Sequence, residues 1–153
     1  MSGETDLGRL LRNIRPERNP GEYVFCLVES MEQAAGLQPV CIFREKEGFT
    51  VILSREQAEA VPLPYSVVCA WITLTVHSSL GAVGLTAAVS QALTEANISC
   101  NVVAAYYHDH LFVPLGEADR AMEAMLALAG NRQSAGEGSD ESPPRILRIR
   151  SDE

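Results

Sequence analysis

Between Ser66 and Gly116 only Glu95 and Asp109 carry a formal charge, and every lysine and arginine lies at or before Arg55 or at or after Arg120. Charged side chains mark the surface because burying them is costly, so a segment this long and this poor in charge must be mostly buried. It forms the centre of the molecule, packed into its own core or against another subunit. One small sheet cannot cover so much apolar surface alone, which predicts a homo-oligomer, most simply a two-fold homodimer.

The chain has 153 residues, 46% of them hydrophobic, with mean hydropathy +0.02. These values fit one compact domain, or two small ones sharing a core, and exclude a mainly disordered chain. No apolar run approaches the roughly 20 residues of a membrane helix. Met1–Pro16 lacks the basic-then-apolar build of a secretory signal, so a cytoplasmic protein is expected. With 12 basic and 20 acidic residues the net charge is -8, which argues against nucleic acid and anionic membrane surfaces as partners. Cys26, Cys41, Cys69 and Cys100 each sit in an apolar, strand-like run without metal-ligand spacing, and read as free thiols packed as small hydrophobes.

Leu7, Leu10, Leu11 and Ile14 recur at helical spacing, ahead of Pro16 and the turn signal Asn19-Pro20-Gly21. Tyr23–Val28 reads as a strand. Pro39–Phe43 and Phe49–Leu53 flank the polar Arg44–Gly48 as a β-hairpin. A short helix over Arg55–Val61 stops at Pro62 and Pro64, the best internal boundary. In the next strand, Val67–Val76, Ile72, Leu74 and Val76 face one way, and Trp71, Thr73, Thr75 and then His77 the other. Ser78 or Ser79 can cap the following helix, whose apolar face is Leu85, Val89, Ala92, Leu93 and Ala96. Ile98–Ala104 and His110–Leu115 are strands joined by a loop at Tyr106–Asp109, and Ala118, Ala121, Met122, Met125 and Ala129 stripe a last helix. The order is α-β-β-β-α, then β-α-β-β-α. Both are versions of a split β-α-β, ferredoxin-like α+β plan: antiparallel sheets with helices on one face. The expected divisions are 1–62, 63–130 and a flexible tail, 131–153. Within the tail the alternation of Ile146, Arg148 and Arg150 against Leu147 and Ile149 could pair with a sheet edge, although its linker composition favours a mobile segment.

The run Ile72–Leu80, followed by Ala82-Val83-Gly84-Leu85-Thr86, Ile98–Ala104 and Tyr106–His110, resembles a bacterial family of small tandem-ACT proteins. Tyr23–Cys26 and Phe43-Arg44-Glu45 followed by Glu47-Gly48 resemble that family's first ACT-like half. The resemblance spans Leu7 to about Ala129 and leaves the tail outside. It implies two ACT-like halves that bind an amino acid or another small ligand at a domain or subunit interface and regulate something attached. The eukaryotic cytosolic arginine sensor is distantly similar in architecture. Ser78 and Ser79 match the ligand loop of ACT domains, and Asn101 matches the ligand-side position of the next strand. The expected ligand site also takes in His77, Leu80, Val83, Gly84 and Val102, with Asp109 joining it if the hairpin folds back.

The residues support a small-ligand site on their own terms. A polar strand end feeding a helix presents free backbone N–H groups, and the segment His77–Gly81 contains no lysine or arginine. A zwitterion or neutral molecule therefore suits it better than a dianion, with Asn101 and Asp109 as acceptors for an ammonium group. Two other readings stay open. One is a metal-dependent enzyme built on His77, His108 and His110 with Asp109, although the two histidines at i and i+2 project together only from extended chain. The other is a protein-interaction module that docks through the charge-poor half. No nucleophile elbow, P-loop or HExxH motif is present, so the expectation is a regulatory or sensory protein without catalysis or cofactor.

Overall fold

The computed structural model describes residues 6–76 and 83–133, with side chains to residue 130. The helices are α1 (Leu7–Arg12), α2 (Met31–Gly36), α3 (Arg55–Ala60), α4 (Leu85–Glu95) and α5 (Ala118–Gln133). The strands are β1 (Pro16–Arg18), β2 (Tyr23–Val28), β3 (Cys41–Arg44), β4 (Phe49–Ser54), β5 (Val68–Leu74), β6 (Asn101–Ala104) and β7 (Asp109–Pro114). A 3₁₀ turn at Leu115–Glu117 leads into α5. Short polar side chains start the first three helices: Asp6, Ser30 and Ser54 accept the backbone N–H groups of Arg9, Gln33 and Gln57. No described helix is long and apolar enough to cross a membrane.

The strands form one antiparallel sheet in the order β3-β4-β2-β5-β7-β6. β5 is long enough to hold two partners along one edge. Its first residues pair with Tyr23 and Val24 of β2, and its last, Ile72–Leu74, pair with β1. The Asn19 backbone N–H donates to the Trp71 carbonyl at 2.8 Å and bridges the joint between them.

Two similar units, β2-α2-β3-β4-α3 and β5-α4-β6-β7-α5, thus meet strand to strand at the sheet centre. Their hairpins correspond at an offset of 60 residues, Cys41 to Asn101 and Ser54 to Pro114. Both hairpins close with the same backbone bond, from Glu45 N–H to the Gly48 carbonyl and from Ala105 N–H to the His108 carbonyl. The fold is the expected α+β, ferredoxin-like arrangement with helices on one face.

Alternation places Val24, Cys26, Val51 and Leu53 under α2 and α3, and Ile72, Leu74, Leu111 and Val113 under α1, α4 and α5. The opposite face bears no helix. Ile52, Cys69 and Phe112 are buried there against Tyr23, Phe25, Cys41, Trp71 and Val103. Cys41 and Val103 come from the two outer strands of the sheet yet join one cluster, so the sheet curls its bare face inward.

Three local expectations change. The first unit contains α2, which the sequence pattern does not signal: of its six residues only Ala34 is buried. Pro16–Arg18 is a strand, too short and polar to show alternation, and together with α1 it packs on the second unit. The helix expected to follow Ser78 or Ser79 starts later, at Leu85. Its N-cap is Gly84 in a left-handed conformation with no side-chain cap. Gly84 is therefore outside the helix, and its lack of a side chain serves close packing, since a Cβ there would lie 2.9 Å from Leu7 Cδ2.

Candidate functional site

β5 leaves the sheet at Leu74, where its last pairing partner is Asp109, the first residue of β7. The chain runs on through Thr75 and the buried Val76, and α4 begins after Gly84. Thr75 fastens this exit: its backbone N–H and its hydroxyl both donate to the Arg15 carbonyl, at 2.9 and 2.8 Å. The turn of the β6–β7 hairpin, Ala105–His108, lies at the same end of the sheet.

Two polar groups meet here: the buried Asp109 carboxylate and His108 Nδ1, a buried atom without a partner among the described residues. Asp109 is 8% exposed, and burial pushes its carboxyl above the usual carboxylate range. The nearby His110 and His108 rings oppose that shift without cancelling it. Buried polar groups in folded proteins are almost always satisfied, so the orphaned His108 Nδ1 beside the buried Asp109 carboxylate is a place where a polar ligand gains more than it would on open surface.

The expected site residues divide among several places. His77, Ser78, Ser79 and Leu80 lie outside the described residues. Val83 is 83% exposed beside Gly84, at the same end of the sheet as Asp109. Asn101 begins β6 at the far end: it pairs with Phe112, level with Trp71, and is exposed on the bare face. Val102 pairs with Leu111 and packs against the helix-side core.

The described histidines, His108 and His110, do not gather as a metal centre would require. His110 lies on the bare face, where its Nδ1 takes a hydrogen bond from Trp71 Nε1–H at 3.0 Å, and Asp109, one residue earlier, faces the helices. Among the described residues no three His, Cys, Asp or Glu side chains are placed to hold a metal ion. The four cysteines are free, as expected, and burial pushes the Cys26 and Cys69 thiols up and that of Cys100 up to about 11.

Sequence reasoning missed the bare face as a feature. A cavity of about 730 Å³ opens there between β6 and the first unit, walled by Phe25, Leu27, Phe43, Ile52 and Val103. The available signal was Tyr23, Phe25 and Leu27 alternating with Val24, Cys26 and Val28, apolar on both faces of one strand.

Residues 2–70 and residues 66–126 each match a family model of the ACT domain. A Vibrio cholerae protein of unknown function, described as a possible transport protein, is 44% identical, with 82% of this chain and 97% of that one covered and a TM-score of 0.75. Two distant structures share the fold. The regulatory subunit of Thermus thermophilus aspartate kinase is 9% identical, covers 76% of this chain and 98% of its own, and has a TM-score of 0.53. Clostridium acetobutylicum aspartate kinase is 7% identical, with 77% of this chain covered but 34% of that enzyme, and a TM-score of 0.56. The chain matches no curated protein sequence.

Proposed function

The chain belongs to the ACT-domain family, with two ACT domains in tandem, and from that premise we propose that it is a regulatory protein that binds a small amino-acid-like ligand and does no chemistry of its own. The similarity to the regulatory subunit of an aspartate kinase supports the regulatory half of this reading. The ligand half rests on one observation: the buried Asp109 carboxylate beside the unpartnered His108 Nδ1, where β5 hands over to α4. An ammonium group there gains a charge-assisted hydrogen bond to a carboxylate already removed from water. The ligand's carboxylate would be held by backbone N–H groups and hydroxyls of His77, Ser78, Ser79 and Leu80, with Val83 and Gly84 at its edge. Asn101 and Val102 lie at the other end of β6 and take no part in this arrangement. The proposal includes a cytoplasmic homodimer, motivated by the charge-poor centre of the sequence.

Thermal-shift measurement against each amino acid tests it. A ligand at 100 times its dissociation constant stabilises by about 2.7 kcal/mol. One or a few amino acids should raise the melting temperature of the wild type, and Asp109→Asn should remove that rise. If no amino acid shifts the wild type, or the shift survives Asp109→Asn, the reading fails.

A further inference from the structure

The two ACT units place different side chains at matching positions of the bare face. Phe25, Thr50 and Ile52 of the first correspond to Trp71, His110 and Phe112 of the second, by the shared register of the strands. In the second unit these groups lie together, with the Trp71 ring stacked near Phe112 and bonded to His110. Trp71 Nε1–H donates to His110 Nδ1 at 3.0 Å, the Thr73 hydroxyl lies 3.2 Å from the same nitrogen, and Asn19 Nδ2–H donates to the Thr73 hydroxyl at 2.9 Å. In the first unit Phe25, Thr50 and Ile52 line the 730 Å³ cavity. We propose that this cavity is a second small-molecule site, separate from the Asp109 junction, and that it takes an amine with an apolar aromatic or chain-like body.

The size lies within the roughly 300–1,000 Å³ of small-molecule pockets. The walls are apolar, and at the mouth Phe43 is 66% and Leu27 54% exposed, on either side of Thr50. Polar groups are few. β6 borders the cavity as an edge strand, so alternate backbone groups along Val102–Ala104 face it without a strand partner. Among the described residues Glu45 supplies the only charged side chain of the lining, and the Thr50 hydroxyl donates to its Oε1, which holds the carboxylate at the rim. Neither lysine nor arginine lines the cavity: Arg44, next in sequence, lies over the Phe49 ring on the other face. A cation is attracted, an anion of the same shape repelled.

Phenylpropylamine and phenylpropionate, with the same body and opposite charge, make the test, read by calorimetry on the full chain. The amine should bind at least about tenfold tighter than the acid, and Glu45→Gln should erase that preference. Ile52→Trp, which restores bulk at the position matching Phe112, should abolish amine binding, and Asp109→Asn should leave it unchanged. Cys41, half-buried on the wall, gives a readout in the unaltered protein: bound amine should slow its reaction with a thiol reagent. Equal binding of the two probes, or no protection of Cys41, overturns the site. Loss of amine binding in Asp109→Asn overturns it too, by placing the amine at the junction. Because amino-acid binding depends on Asp109 and amine binding on Ile52 and Glu45, either site can fail alone.

Discussion

Asp109 is held in a place that disfavours its charge. Burial raises its carboxyl, so the fold prefers the protonated form: that contribution is present below the ordinary carboxylate range and is lost as pH rises through the raised value. Ionising the carboxyl therefore costs the native state more than the unfolded chain. Asp109→Asn should stabilise the ligand-free protein by about 1 kcal/mol at pH 7, with the gain shrinking towards pH 4, as denaturant unfolding at the two pH values will show. A stabilised variant that has lost its ligand would separate the two roles of one residue. His110 has the opposite sign. Burial lowers its imidazole, with the His108 ring adding to the shift and Asp109 opposing it. Its contribution is present above the ordinary value of 6.5 and is lost as pH falls through the lowered one. Protonation also removes the acceptor of the Trp71 bond, so Trp71 emission should change on acidification and stay constant in His110→Gln.

At the scale of elements, two glycines carry different burdens. Gly48 closes the β3–β4 turn at φ +149°, and a Cβ there would lie 2.8 Å from the Val28 carbonyl oxygen, a backbone atom that cannot swing aside. Gly48→Ala should cost about 1–3 kcal/mol. Gly84→Ala meets only the flexible end of Leu7 and should cost less, chiefly the strain of φ +98° in a residue with a side chain. Denaturant midpoints of the two variants give the order. The same comparison shows what could be read in advance. β2, β4, β5 and the hairpins were legible because alternation and turn residues are local, and so was the apolar stripe of α4. The start of α4 was not, because a left-handed glycine chosen for packing on Leu7 looks like a mid-helix glycine until both helices are in place. Asp109 was legible as a residue type but not as a buried one, which depends on what packs around it. The cavity was invisible, since it arises from the sheet's curl, which brings β6 towards the first unit.

For the whole molecule, the governing fact is that the two units are interlocked. α1 and β1 precede the first unit, yet Leu10, Leu11 and Ile14 are fully buried in the core of the second, and β1 completes the edge of β5. Deleting residues 1–18 should therefore abolish folding of the second unit and not merely trim the first, visible as loss of the cooperative thermal transition and of monodisperse behaviour in sedimentation. The intact chain should unfold in a single transition by circular dichroism and Trp71 emission alike. Synthesis adds a constraint of its own. A ribosome releases α1 and β1 well ahead of β5, and about a hundred residues ahead of α5, the helix against which α1 rests. The opening segment must wait, apolar and unsheltered, until nearly all of the described chain has emerged, so the polypeptide cannot settle in the order in which it is made. Nascent chains stalled before residue 118 should bind a chaperone through Leu10, Leu11 and Ile14, and let it go once α5 clears the tunnel.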